Sequence, residues 1–140
     1  MKLPSSISII GDYAFFNNSI GEIDLPDSLQ LLGENVFGYC EKLKKVVLSK
    51  GLKRIKNDTF RECFSLTEVV FKEGLEVIER GAFDHCPLTD FTLPISLRII
   101  EGRNFTKINR EDFTIPDNIE SIGYELFCEN RNLKKIIFGK

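Results

Sequence analysis

The chain repeats itself every 22 or 23 residues along almost its whole length, and this periodicity restricts the fold more than any other feature of the sequence. Each repeat contains a phenylalanine twelve residues after its first position. Six of the twelve phenylalanines in the chain fall in this one register, which rules out an accident of composition. They are Phe15, Phe37, Phe60, Phe83, Phe105 and Phe127.

Each repeat also carries apolar residues at its opening position and at the positions four and seven places later. A segment of 22 or 23 residues cannot bury these side chains by itself, but stacking the equivalent residues of successive repeats produces a continuous core. The sequence therefore predicts a repeat solenoid, with residues 1–140 as a single domain of about six coils. The coils cover residues 3–24, 25–47, 48–70, 71–92, 93–114 and 115–138.

The end of each repeat shows the alternation that is typical of a β-strand. In the second repeat the apolar residues of this segment are Leu43, Val46 and Leu48, with β-branched residues among them. A proline directly follows the opening residue in four of the six repeats, and its missing amide would end the strand. We therefore predict a β-rich solenoid with one short parallel strand per coil, and with short turns or 3-10 segments on the opposite side.

The second repeat, Leu25 to Leu48, reads LPDSLQLLGENVFGYCEKLKKVVL and resembles the unit of leucine-rich repeat proteins of the BspA type, approximately LPxSLxxIGxxAFxxCxxLxxIxI. The first repeat matches this pattern through LPSSISIIGDYAFFNN, and the fourth matches it through IERGAFDHCPLTDF. The resemblance extends from Leu3 to Phe138. It implies a leucine-rich-repeat solenoid that binds other proteins, located on the cell surface or secreted, as is common for such proteins of bacteria and parasitic protists.

The fifth and sixth repeats depart from this pattern. Arg110 replaces the leucine that leads the strand, and Asn104 and Leu126 replace the small residue before the phenylalanine. We therefore expect these two coils to be locally irregular. Neither end of the chain has a recognisable cap, so we also expect either a fragment of a longer protein or self-association through the open ends of the solenoid.

Charge and reactive residues exclude several classes of function. The chain has 19 Lys and Arg against 21 Asp and Glu, with both signs scattered, so it lacks the basic face that binds nucleic acid. No signal peptide is visible, and no apolar run reaches the ~18 residues of a membrane span. The single histidine, His85, is expected in a solvated turn, because it cannot easily face the adjacent Cys86 as a base must face a nucleophile. We predict no enzymatic activity, no cofactor and no metal.

Cys40, Cys63 and Cys86 are spaced 23 residues apart and therefore stack in adjacent coils. We favour buried free thiols over a disulfide between neighbouring coils. A metal site is the least favoured, because a ladder of cysteines does not converge on one point. Three asparagines begin an N-x-S or N-x-T acceptor sequence, and we expect little glycosylation of them. They are Asn17, Asn57 and Asn104.

The residues between the buried positions of each strand point outward, because side chains alternate across a strand. They form two rows, of which the second is apolar to neutral and the first is mainly acidic. A strip of this kind is typical of a contact surface, although strand propensity explains the β-branched residues equally well. The first row is Glu22, Lys45, Glu68, Asp90, Asp112 and Lys135, and the second row is Asp24, Val47, Val70, Thr92, Thr114 and Ile137.

The leading hypothesis is a non-enzymatic protein-binding module, for adhesion or interaction, that uses this strand face and favours a partner with some positive charge. An alternative from another class is a structural spacer within a longer cell-surface solenoid. A glycan-binding module is less favoured. Sugar sites use exposed aromatic side chains, and Tyr13, Tyr39 and Tyr124 lie outside the strand rows.

Overall fold

The computed structural model describes residues 2–139, which form a parallel β-solenoid of about six coils with no helical residue among them. The predicted fold class is therefore confirmed. The strands of these residues are β1 (Ile9–Ile10), β2 (Glu22–Asp24), β3 (Leu31–Leu32), β4 (Lys45–Val47), β5 (Arg54–Ile55), β6 (Glu68–Val70), β7 (Val77–Ile78), β8 (Ile99–Ile100), β9 (Asp112–Ile115), β10 (Ser121–Ile122) and β11 (Lys135–Phe138).

One line of strands lies at the end of the repeats, as the sequence predicts. The parallel strands β2, β4 and β6 place Glu22 opposite Lys45 and Lys45 opposite Glu68. The middle residue of each strand is buried and its two neighbours are more exposed, which is the alternation seen in the sequence. β9 and β11 continue the line as a separate parallel pair. We call this line the closing sheet.

The closing sheet is interrupted in the fourth coil. The predicted strand is reduced there to an isolated bridge between Glu68 and Asp90, and Thr92 lies outside any strand. The prediction of this strand in every coil is therefore wrong for the fourth coil. The next coil carries Arg110 at the position that is leucine or isoleucine in the other coils, and the contacts of this arginine explain the interruption.

A second line of strands, each two residues long, was missed by the prediction of one strand per coil. β1 pairs with β3, and β5, β7, β8 and β10 form a four-stranded parallel sheet. In most of these strands only the second residue is buried, as in Leu32 and Ile55. Two residues are too few to produce a recognisable alternation. The pairing arises because stacked coils bring equivalent backbone segments to the spacing of neighbouring strands.

The recurring phenylalanines stack in the core. From Phe15 to Phe105 the centroids of adjacent rings lie 5.2 to 5.9 Å apart, with interplanar angles of 10° or less. Phe37 and Phe60 are fully buried and stack directly on each other. In the sixth coil Phe127 leaves the ladder and makes an edge-on ring contact instead. The ladder predicted from the register is therefore present through five coils.

The phenylalanines lie in a turn that holds two left-handed residues in most coils. In the second coil these are Asn35, with φ of 52°, and Tyr39, with φ of 58°. The amides of one turn donate to the carbonyls of the next, as from Phe37 to Thr59 and from Tyr39 to Arg61, both at 2.8 Å. The side opposite the closing sheet therefore consists of stacked turns, which is one of the two predicted forms.

The fifth coil has a different turn, in which side chains replace backbone acceptors. The amide of Phe83 donates to Oδ1 of Asn104 at 2.9 Å, and the amide of His85 donates to Oγ1 of Thr106 at 3.0 Å. Both acceptor side chains are fully buried. One left-handed conformation moves to Phe105, with φ of 53°. The irregularity expected for this coil is present, and buried polar side chains compensate for it.

Candidate functional site

The outward rows of the closing sheet are in register on both sides of the interruption. Val47 and Val70 lie opposite each other in β4 and β6 and are half-buried. Asp24 precedes them in the same row and is exposed. On the far side, Thr114 lies opposite Ile137, and Asp112 lies opposite Lys135. The structure thus places ten of the twelve proposed residues in two separate parts of the closing sheet. Of the other two, Asp90 forms only an isolated bridge and Thr92 lies outside any strand.

Charged residues beside the apolar row are partly paired with one another. Nζ of Lys45 lies 3.2 Å from Oε2 of Glu68, and Nη2 of Arg110 lies 2.9 Å from Oδ1 of Asp112. Each pair is partly exposed and contributes little to stability. The pairs do neutralise two of the carboxylates that flank the row. The acidic flank expected from the sequence is therefore weaker than its composition indicates.

Arg110 explains where the closing sheet breaks. Burying a guanidinium in the place of a leucine would remove its hydration, so Arg110 stays partly exposed, pairs with Asp112 and lies over Phe91 with Cζ 5.2 Å from the ring centroid. Its Nη1 donates to the carbonyl of Phe91 at 3.2 Å. This carbonyl belongs to the segment that would otherwise form the fourth closing strand. The arginine therefore holds the fourth and fifth coils in an arrangement that does not form the ladder.

A pocket of about 340 Å³ opens at this interruption, and we call it the closing-sheet pocket. Arg110 lines the pocket, which therefore combines a cation with apolar side chains. Two of the proposed row residues, both threonines, contribute to it. The sequence shows Arg110 as a departure from the repeat pattern, but the predicted site residues include neither this arginine nor the apolar residues around it. The lining includes Phe91, Thr92, Leu93, Ile95, Thr114 and Ile115.

His85 lies in a turn, as expected, but it is only partly solvated, with 21% of its side chain exposed. Its Nδ1 lies 3.0 Å from Oδ1 of Asp84, and its Nε2 lies 3.4 Å from Oε2 of Glu129. Asp84 also accepts a hydrogen bond from Oγ1 of Thr106 at 2.7 Å. The histidine thus links the fourth coil to the sixth, across the irregular fifth coil. The neighbouring thiol of Cys86 is buried and donates to a backbone carbonyl, so the imidazole has no nucleophile to activate there.

The three stacked cysteines are buried free thiols, as predicted. Their Sγ atoms donate to the carbonyls of the phenylalanines in the preceding coil at 3.0 to 3.2 Å. Burial raises the pKa of the Cys40 thiol to about 11. The neighbouring Cys86 thiol, together with burial, raises the pKa of Cys63 well above its usual value. Thiolates are the reactive form of cysteine, so these side chains stabilise the turns and are poor nucleophiles.

The structure separates the three potential glycosylation positions. Asn104 is fully buried, and its Nδ2 donates to the carbonyls of Glu79 and Glu101 at 2.9 Å each. This amide cannot carry a glycan in the folded chain. Asn17 is exposed and Asn57 is half-buried. Asn104 therefore occurs at this position because its side chain supplies hydrogen bonds to the turn of the fifth coil, and not as a site of glycosylation.

Residues 2–139 contain no group of three or more His, Cys, Asp or Glu side chains that could hold a metal ion. They also contain no helix that is long and apolar enough to cross a membrane.

The sequence profile of the BspA type leucine rich repeat region matches the chain in six copies, over residues 1–109 and 53–140. These two ranges together cover the whole chain. A search of curated proteins found no significant match.

Several solved structures share the fold. A leucine-rich repeat protein from Bacteroides ovatus has a TM-score of 0.81 at 22% identity, over 99% of this chain and 42% of that one. The leucine-rich repeat protein of T. pallidum has a TM-score of 0.88 at 29% identity, over 97% of this chain and 67% of that one. A leucine-rich cell surface protein from Faecalibacterium prausnitzii has a TM-score of 0.68 at 26% identity, over 98% of this chain and 46% of that one. The chain thus spans less than half the length of two of these structures.

Proposed function

The chain belongs to the BspA-type leucine-rich repeat family, and on that basis we propose that it is a non-enzymatic protein-interaction module that binds its partner through the outward rows of the closing sheet. The family is generally non-enzymatic and consists of repeat modules. Our proposal adds the surface that binds and the residues that form it.

The observation that carries the proposal is the alignment of Val47 and Val70 on the outward face of two paired strands. Both valines are half-buried although they point away from the core, so each has apolar surface available to a partner. Apolar surface bordered by charge supports a contact role. The stacked coils hold the row in place before binding, which lowers the entropy lost on association.

The closing-sheet pocket supports the same role at the interruption of the row. Tight interfaces commonly seat a large side chain of the partner in a pocket beside flatter contacts. Phe91 and Leu93 offer apolar walls for such a side chain. Arg110 offers a cation for a carboxylate or a backbone carbonyl, although its Nη1 already donates to Phe91 and its Nη2 to Asp112. The partner we propose therefore lies along the row and inserts an apolar side chain at the interruption.

The test is a double substitution in the row, Val47→Lys with Val70→Lys. We expect the variant to capture none of the partner from a solubilised cell-surface extract, because two ammonium groups would replace the apolar contact. The matched control is Ile9→Lys with Leu31→Lys, an exposed aliphatic pair in register on the other strand line. Captured proteins are quantified by mass spectrometry, and urea titration verifies that both variants fold. Equal capture by the row variant and the wild type would contradict the proposal.

A structural spacer is the second candidate, and the length of the similar structures favours it. Two of them are more than twice as long as this chain, since it covers 42% and 46% of their lengths. A spacer would hold other coils apart and bind nothing itself. In the experiment above, the wild type would then capture no more protein than a blank resin. Further repeats in frame beside this chain in its gene would support this reading.

We also propose a location on the cell surface or outside the cell. The support is the description of the F. prausnitzii protein as a cell surface protein. Labelling of intact cells with an antibody against the chain tests this directly. Labelling that requires permeabilised cells would contradict it.

A further inference from the structure

Three aromatic side chains, two of them exposed and one half-buried, form a cluster in the turns of the first two coils, outside the closing sheet. The ring centroids of Tyr13 and Phe16 lie 5.2 Å apart, and those of Phe16 and Tyr39 lie 5.5 Å apart, both edge-on. Tyr13 is 56% exposed and Phe16 is 39% exposed. We call Tyr13, Phe16 and Tyr39 the aromatic patch.

The fold does not require aromatic side chains at these positions. Tyr13 and Tyr39 occupy the two left-handed positions of the turn, and the third coil carries Asp58 and Glu62 there, with similar φ angles. The core phenylalanines form a separate ladder. Large apolar side chains at exposed turn positions, where another coil uses charged ones, therefore indicate a contact surface.

Gly38 shows how the patch is accommodated. A Cβ at this position would lie 3.0 Å from the ring of Phe16, closer than ordinary van der Waals contact. The next coil carries Arg61 at the equivalent position. The glycine thus allows the Phe16 ring to lie against the second turn and to bridge Tyr13 and Tyr39 into one surface.

Two carboxylates adjoin the patch. Asp12 precedes Tyr13, and Glu34 lies beside it, since the amide of Tyr13 donates to the carbonyl of Glu34 at 2.9 Å. The amide of Glu34 in turn donates to Oδ1 of Asp12 at 2.8 Å. Neither carboxylate forms a salt bridge with any of residues 2–139. Aromatic faces next to unpaired negative charge are complementary to a cation.

We propose that the aromatic patch is a second contact surface, which takes an arginine-bearing segment of a partner protein. The guanidinium plane stacks on a tyrosine face and bonds to the carboxylate of Asp12 or Glu34. Arginine fits better than lysine, because a planar guanidinium both stacks and makes paired hydrogen bonds. This surface is independent of the closing sheet, so it stands or falls separately from the function proposed above.

The probe is a peptide of alternating arginine and serine, and the comparison peptide carries citrulline, the uncharged analogue, in place of each arginine. The chain has no tryptophan and three tyrosines, two of them in the patch, so tyrosine emission reports on binding. We expect a saturable change in emission with the arginine peptide, weakened by salt. The citrulline peptide should bind at least about tenfold more weakly, because it lacks the cation.

The variant is Tyr13→Asn with Tyr39→Asn, since the fold itself places Asn35 and Asn17 at the equivalent left-handed positions. Calorimetry should show about a tenfold loss of affinity for the arginine peptide, the fold-change that two exposed cation–π contacts supply. The matched control is Phe64→Asn, which removes an aromatic ring of similar exposure, 50%, outside the patch. It should leave the affinity unchanged.

Several results would overturn the proposal. Equal binding of the citrulline peptide would remove the cation from recognition. An unchanged affinity in the double tyrosine variant would remove the patch. An emission change with a neutral oligosaccharide but not with the arginine peptide would assign the patch to a glycan. Concentration-dependent dimerisation that the double variant abolishes, without peptide binding by the wild type, would assign it to a second copy of the chain.

Discussion

Three cysteine thiols lie side by side in the turns of the second, third and fourth coils, and each donates to a carbonyl of the coil before it. A thiolate at these positions could no longer donate a hydrogen bond to this carbonyl, and its negative charge would be buried away from water. The protonated form is therefore stabilised by folding. The fourth cysteine, Cys128, is partly exposed and lies outside this ladder.

Alkylation should distinguish the two kinds of cysteine. At pH 8 in the native state, we expect iodoacetamide to modify Cys128 and to leave Cys40, Cys63 and Cys86 unmodified, because a buried thiol with a raised pKa offers almost no thiolate. Peptide mass mapping measures each position. In urea all four should react. Native modification of the ladder thiols would show that the turns open readily.

The same thiols should make stability depend on alkaline pH. The pKa of Cys40 rises from 9.0 to about 11 on folding, so the folded chain holds this proton more tightly than the unfolded chain does. Its contribution to stability is therefore present below pH 9 and is lost as the pH rises toward 11. We expect Tm to fall over this window, and to fall less in Cys40→Ala. An equal fall in both proteins would assign the effect to other groups.

At the scale of the element, the phenylalanine ladder and the closing sheet behave differently. The ladder is continuous from the first coil to the fifth, where equivalent rings stack on one another, and Phe127 of the sixth coil leaves it although its position in the repeat is the same. The closing sheet depends on the residue that leads each strand. It is interrupted in the fourth coil, where Arg110 of the fifth coil contacts Phe91.

Phe60→Ala tests the ladder. Phe60 is fully buried between two stacked rings, so its removal leaves a cavity that the rigid coils cannot fill. We expect a loss of about 3 to 5 kcal/mol in the free energy of unfolding, measured by urea titration. The exposed Phe64→Ala should cost about 0.5 kcal/mol or less. A loss under about 1 kcal/mol for Phe60→Ala would mean that the ladder is not core.

Arg110→Leu tests the cause of the interruption. A leucine can be buried at this position, so we expect the free energy of unfolding to rise by about 1.5 kcal/mol. Amide hydrogen exchange at Thr92 and Leu93 should slow as the fourth strand joins the sheet. Arg98→Leu, at an exposed arginine, should change neither quantity. A destabilised Arg110→Leu would show that the contacts of the guanidinium with Phe91 outweigh the burial of a leucine.

For the whole molecule, stability is distributed along one dimension, because each coil packs mainly on its neighbours. The middle coils bury their ladder residues on both sides. The terminal coils have one neighbour each, and Leu3, Phe15, Phe127 and Leu133 are only half-buried. The ends should therefore open at a lower free energy than the centre.

Native-state hydrogen exchange measures this gradient. We expect the amides of Phe15 and Gly139, in the terminal coils, to exchange faster than those of Phe37 and Phe60, which donate to carbonyls of the next turn at 2.8 Å. Protection at the ends equal to that of the centre, with a mass above 16.0 kDa in light scattering, would show that a second copy covers them. That outcome would support self-association through the ends of the solenoid.

Much of the fold and part of the candidate site could be predicted because equivalent positions of successive repeats stack on one another. The register of the phenylalanines placed Phe37 against Phe60, and the pattern at the end of each repeat placed Val47 opposite Val70. The cysteine spacing likewise predicted buried thiols. Each of these features occurs at the same position in several coils, so that one rule of stacking positions all of them.

The sequence by itself determined the solenoid, its family and its outward rows. Only the tertiary structure decided the second line of strands, the pocket beside Arg110, the contact of His85 with Glu129 and the aromatic patch. These features arise where a repeat departs from its neighbours or where a segment is too short to show a pattern. Their geometry depends largely on contacts between residues of different coils, such as those of His85 with Thr106 and Glu129, and the repeat pattern does not predict how such a contact is made.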